Sequence, residues 1–156
     1  NDKMPSSLEY CLILFSSELE FTFTNKIKMN KLIIDVVNEK IFLMIITSSD
    51  IYNITHENTK INYEKLIIII NNFLGSNDLK ITDINEIYIN RGPGSFAGIR
   101  NSLSVVKAFN VAKKIDYYCY SLEDFKGEDD VSHENIPNLC NKFKIKKNLI
   151  NPIYIS

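Results

Sequence analysis

The chain has 156 residues, 45% of them hydrophobic and 24% charged, a composition that suits one globular domain and excludes wholesale disorder. Lys+Arg number 18 against 19 Asp+Glu, and the resulting net charge of −1 argues against a grip on nucleic acid through bulk positive charge. The residue usage is skewed, with 25 Ile, 19 Asn and 16 Lys against 2 Arg, so those three abundant types carry little information and Gly, Pro and Arg carry more.

Residues 1–28 show no clean hydrophobic period and read as an N-terminal extension outside the functional domain, directly upstream of Met29. Lys31 to Val37 reads as a buried strand, a short β-branched run broken by Asp35. Asn38-Glu39 forms a turn, Lys40 to Thr47 a second strand, Ser48 to Asp50 another turn, and Ile51 to Thr55 a third strand. Three strands with tight turns predict an antiparallel meander.

Asn62 reads as the N-cap of a helix over Asn62–Leu74, with Gly75 as its stop. The β-branched run Ile67–Ile70 keeps a strand open as the alternative. As a helix, Leu66 to Ile70 is apolar around most of its circumference and predicts burial on more than one side. Glu86 to Asn90 is a strand, and Phe96, Ile99, Leu103, Val106 and Phe109 have helical spacing up to Lys113. Ile115 to Tyr120 is a last strand, followed by a short helix capped by Ser121. Gly127 to Asn135 reads as a linker, and Asn141 to Lys147, with four Lys, as a solvated face or a phosphate-facing strip. The β-β-β-α-β-α-β order suggests the ribonuclease-H-like half of actin-like and sugar-kinase ATPases.

Cys11, Cys119 and Cys140 are odd in number and far apart, which indicates neither a disulfide framework nor a zinc site and suits a cytoplasmic protein. His56 and His133 read as ordinary polar positions, and no metal or cofactor is expected. The longest apolar run is far below the ~20 residues of a membrane span, so no membrane association is expected.

Three of the five Gly, one of the four Pro and both Arg fall within Arg91-Gly-Pro-Gly-Ser-Phe-Ala-Gly-Ile-Arg100. A strand feeding such a loop and then a helix gathers backbone N–H groups at one point, where phosphate or carboxylate is attracted. The Walker loop is absent, because no Gly-Lys pair exists. The dinucleotide fingerprint is formally matched by Gly92, Gly94 and Ala97, but Pro93 is atypical and the match precedes the last βα unit. The nucleophile elbow fails, since Pro93 stands where Gly is required and no His lies near Ser95. A tight turn without ligand is the plain alternative. Phe96 is expected to plug the following helix onto the sheet. Arg100 opposes its own helix dipole, which suggests a fixed carboxylate partner, in this chain or across an interface, with a solvated side chain as the plain alternative.

This decapeptide resembles the G-P-G-S-F-T-G-L/I-R signature of the TsaB (YeaZ) family, the non-catalytic subunit of the bacterial complex that makes threonylcarbamoyladenosine in tRNA. Asn62-Tyr-Glu-Lys-Leu66, Asp83 to Ile87, Ser121-Leu122-Glu123 and Asn151 to Ile155 resemble further segments of that family. The resemblance implies an actin-like (ASKHA) α/β first domain over residues 29–125, with residues 126–156 a linker and a strongly reduced second domain. It implies a scaffold without catalytic residues that pairs with a TsaD-like catalytic subunit, in an assembly with a TsaE-like ATPase, tRNA being held through the complex. A homodimer is possible when the chain is alone. The glycine-loop motif is Gly92, Pro93, Gly94, Ser95, Phe96, Gly98 and Arg100. The partner interface implied by the resemblance lies on the two helices Asn62–Leu74 and Gly98–Lys113, through Leu66, Ile67, Ile69, Ile70, Phe73, Leu103 and Lys107. The competing reading is a small nucleotide- or sugar-phosphate-binding enzyme using the Gly92–Ser95 loop; a peptidase lacks the metal ligands. Departures from the family pattern are Val36-Val37 after Asp35, where relatives carry hydroxyl residues, together with Asn62, Ala97 and Ser102. The first of these makes a nucleotide site less expected.

Overall fold

A computed structural model describes residues 29–155; the expected N-terminal extension lies outside the described residues. The central strand is β1 (Lys31–Asp35), whose residues from Leu32 onward are buried. It pairs antiparallel with β2 (Lys40–Ile46), which pairs antiparallel with β3 (Ile51–Glu57). On its other side β1 runs parallel to β4 (Glu86–Asn90), and β4 parallel to β5 (Asp116–Tyr120). The order is therefore β3-β2-β1-β4-β5, a mixed five-stranded sheet. The predicted meander is present, and the β-α-β order of the last two strands makes a parallel pair.

Strand alternation divides the apolar side chains between two cores. Leu32, Ile34, Leu43, Ile45, Ile87, Ile89 and Tyr117 face one side of the sheet, and Ile33, Met44, Tyr88 and Tyr120 face the other. The first side is covered by α1 (Lys60–Glu64), α2 (Leu66–Ser76) and α3 (Phe96–Lys113). The second is covered by Phe125 and by α4 (Ile136–Lys142), which buries Ile136, Leu139 and Cys140. The segment read as a linker and remnant thus supplies one wall of a core, at roughly 1.5–3 kcal/mol for each large apolar side chain buried.

The helix predicted over Asn62–Leu74 is two helices. Its cap is Thr59, whose hydroxyl accepts from the Asn62 N–H, while the Asn62 side chain donates to the Glu57 carbonyl. Asn62 is therefore inside α1 and not its N-cap. Lys65 (φ −102°, ψ 19°) leaves the helical region and separates α1 from α2. Despite four β-branched residues α2 is helical, because Leu66, Ile70, Phe73 and Leu74 recur at helical spacing and enter the core. Gly75 does not stop it: α2 runs to Ser76, and Asn77 caps it by donating from its side chain to the Phe73 carbonyl.

α3 matches its predicted span and inserts Ile99, Leu103, Val106 and Phe109. The short helix expected after β5 is a 3₁₀ turn, Leu122–Phe125, with Ser121 at its cap as read from the sequence. No helix among the described residues is long and apolar enough to cross a membrane.

Candidate functional site: the glycine loop and the outer helical face

The loop begins where β4 ends. Arg91 N–H donates to the Tyr120 carbonyl at 2.7 Å, which continues the β4–β5 pairing by one residue. Gly92 N–H then turns back onto Asn90 Oδ1 at 3.0 Å. Gly92 has φ +118°, a conformation open to glycine, and the Gly92–Pro93 bond is cis. A Cβ on Gly92 would lie 2.1 Å from the Ile153 carbonyl oxygen, so the residue is required by a close approach as well as by its backbone angle.

That approach comes from residues 151–155, which run beside the loop as a parallel bridge between Gly94 and Tyr154. Ile153 N–H donates to the Arg91 carbonyl at 2.8 Å, and Ile155 N–H to the Gly94 carbonyl at 3.0 Å. Arg91 holds the same strand with its side chain: Nη1 donates to the Asn151 carbonyl and Nη2 to Asp124 Oδ1 at 2.8 Å.

Phe96 does not plug α3 to the sheet. The residue is 53% exposed, and its ring packs at a tilt against Tyr154, with centroids 4.7 Å apart. Ile99 fills the sheet-facing position instead and is fully buried. The carboxylate expected for Arg100 is also not found among the described residues; its guanidinium lies over the Phe96 ring, 5.7 Å from the centroid. The arginine that does have a carboxylate is Arg91. Ser95 caps α3 by position only, with no side-chain hydrogen bond. It borders a cavity of about 760 Å³ that opens beside Val37, Asn38 and Lys40.

The carboxyl ends of β1 and β4 meet a polar cluster that the sequence did not announce. Asp35 is buried; its Oδ1 accepts from Val37 N–H at 3.2 Å, and its Oδ2 lies 3.0 Å from His133 Nε2 and 3.4 Å from Asn90 Nδ2. His133, 98 positions away and read as an ordinary polar residue, also stacks on Phe42 at 4.0 Å. Burial pushes the neighbouring Tyr120 hydroxyl well above the usual tyrosine range, with the Asp35 carboxylate adding to the shift. No signal at such sequence separation could have paired Asp35 with His133. Among the described residues no three His, Cys, Asp or Glu are grouped to hold a metal.

The residues expected at a partner interface divide by burial. Leu66, Ile70, Phe73 and Leu103 are buried in the chain's own core and do not face outward. A helical period cannot turn five consecutive apolar residues to one side, and the sheet takes Leu66 and Ile70. Ile67 is 43% exposed, Ile69 half-buried, and Lys107 exposed. The outer surface gains Ile68, 56% exposed, and Val111 at the far end of α3.

Together these features define a mixed-sheet α/β domain whose glycine loop is held on one side by residues 151–155 and whose outer helical face exposes apolar side chains. Residues 56–121 match the family described as TsaD, tRNA N6-adenosine threonylcarbamoyltransferase. Solved structures share the fold, among them two from Pseudomonas aeruginosa. One is YeaZ from Pseudomonas aeruginosa, at 18% sequence identity and a TM-score of 0.56, covering 60% of this chain and 44% of that one. The other is an uncharacterized protein with similarity to peptidase YeaZ, also from Pseudomonas aeruginosa, at 18% identity, a TM-score of 0.56, and 60% and 43% coverage. The fold is YeaZ-like. The chain spans less than half the length of these two structures. No curated protein sequence matches the chain.

Proposed function

We propose that this chain is a non-catalytic scaffold subunit in the threonylcarbamoylation of adenosine next to the anticodon of tRNA, and that it pairs with a TsaD-like catalytic subunit. The observation that carries this reading is the outer side of α2, where Ile67 and Ile68 are 43% and 56% exposed although the same helix has a complete inner face. Exposed apolar side chains on an otherwise satisfied helix are what a helix-to-helix interface leaves when its partner is absent. The YeaZ-like fold and the TsaD-family match, which spans α1, α2 and α3, support the same assignment. In this reading a TsaE-like ATPase joins the assembly in the cytoplasm, tRNA is held mainly by the partners, and the same face makes a homodimer when the chain is alone.

Co-expression with the TsaD-like protein of the same source, followed by size-exclusion chromatography, tests the pairing. A co-eluting heterodimer that is lost in Ile68→Asp supports it; separate elution of two folded proteins removes it.

The glycine loop as a phosphate site is the less favoured reading. Its Gly92 N–H is already taken by Asn90 Oδ1, and the Ile153 carbonyl oxygen, itself an acceptor, closes on Gly92. Residues 151–155 thus fill the side of the loop that they face.

A further inference from the structure

On the sheet face opposite α1–α3 lies a cavity of about 480 Å³ that neither the loop nor the helical face uses. Its floor is the pair Tyr88 and Tyr118, neighbours on β4 and β5, stacked with centroids 5.0 Å apart and planes 12° from parallel. Tyr88 is buried and Tyr118 half-buried, so Tyr118 is the ring with free surface. One wall is α4 and the residues that follow it; Lys147 bridges to the Tyr118 backbone and covers the edge of β5. Lys31, at the start of β1, closes the opposite side.

The charges are unequal. Lys31, Lys144 and Lys147 line the cavity against one carboxylate, Glu86. Glu86 accepts a hydrogen bond from the Tyr88 hydroxyl and is the register partner of Lys31. Lys147 lies 3.5 Å from Asp116, while Lys144 has no carboxylate within 4.0 Å among the described residues. Three ammonium groups thus face two carboxylates, Glu86 and Asp116, which leaves a surplus of one positive charge around an aromatic floor. The volume falls within the ~300–1,000 Å³ usual for small-ligand sites and exceeds what a bare phosphate would fill.

From this juxtaposition we propose that the cavity binds a nucleoside monophosphate, its phosphate held by Lys144 with Lys31 and Lys147, and its base set against Tyr118. Lysine ammonium groups suit a phosphate as point charges, and aromatic faces accept any base. The site is independent of the scaffold role, since it lies on the other face of the sheet.

Lys144 also supplies a clean test. It has φ +53°, the left-handed position that closes α4 and favours glycine. Lys144→Gly thus deletes the charge while relaxing the backbone, and the variant should melt no lower than the parent. Isothermal titration of the full chain with AMP and UMP should show saturable binding, weakened at least tenfold in Lys144→Gly and in Tyr118→Ala. Inorganic phosphate and adenosine, as separate halves, should each bind at least tenfold more weakly than AMP. Lys40→Glu, beside the glycine loop, should change nothing. The proposal is overturned if neither nucleotide binds, if Lys144→Gly binds as the parent does, or if Lys40→Glu is the change that removes binding.

Discussion

Arg91 Nη2 and Asp124 Oδ1 meet at 2.8 Å, and this pair ties the first residue of the glycine loop to the 3₁₀ turn after β5. Both side chains are largely shielded, and the other arm of Arg91 holds the Asn151 carbonyl. Arg91→Ala removes both bonds and leaves Asp124 without its counter-ion. A loss of about 3 kcal/mol in urea unfolding is expected. Arg91→Lys should recover only part of it, because one ammonium cannot present a planar fork to two partners.

Glycine substitutions should rank by what surrounds each one. Gly92→Ala meets the Ile153 carbonyl at 2.1 Å and carries φ +118°, so it should destabilise strongly and release residues 151–155. Gly94→Ala meets the movable end of Ile99 at 2.8 Å and should cost less. Gly75, inside α2 with nothing within 4 Å of a built Cβ, should gain about 0.5–1 kcal/mol as alanine. Thermal melts of the three variants check the order.

Within α2 the roles separate by a single helical step. Ile70→Ala opens a cavity in the first core and should cost about 2–5 kcal/mol. Ile68→Asp lies outside, and should leave the melting temperature within a few degrees while abolishing the partner complex. Loss of folding in Ile68→Asp, or retention of the complex, would contradict the proposed interface.

Burial pushes the Cys119 and Cys140 thiols up to about 12. In the native protein both should resist alkylation at pH 8 and react only on unfolding, as peptide mapping can show. The folded state holds these protons more tightly than the unfolded chain, whose thiols titrate near 9.0. Their contribution to stability is therefore complete below pH 9 and declines as pH rises from 9 towards 12. The slope is at most about 1.4 kcal/mol per pH unit for each thiol. The double variant Cys119→Ala/Cys140→Ala should show a shallower alkaline decline.

Strand order and the loop were readable because they rest on local signals: β-branched runs between turns, and rare residues gathered in ten positions. The helix start is not legible in the sequence, because Thr59 and Asn62 are both acceptable caps and the choice depends on where β3 releases the chain. The interface set mixed inward and outward residues, since a run from Leu66 to Ile70 carries no polar residue to mark its outer side. Phe96 and Ile99 both fit the helical spacing, and Ile99 is the one that reaches the sheet. The roles of residues 126–155 were least legible. Their contacts, His133 with Asp35 and residues 151–155 with the loop, join positions about sixty to a hundred apart.

The bridge between Gly94 and Tyr154 also sets an order of events during synthesis. The sheet and its three covering helices are encoded before residue 121, so they can emerge from the ribosome and pair while the glycine loop still lacks its neighbour. Its Arg91 and Gly94 carbonyls find their strand only when residues 151–155 arrive, sixty positions later. Until then the nascent loop is the one that a passing ligand or chaperone would meet.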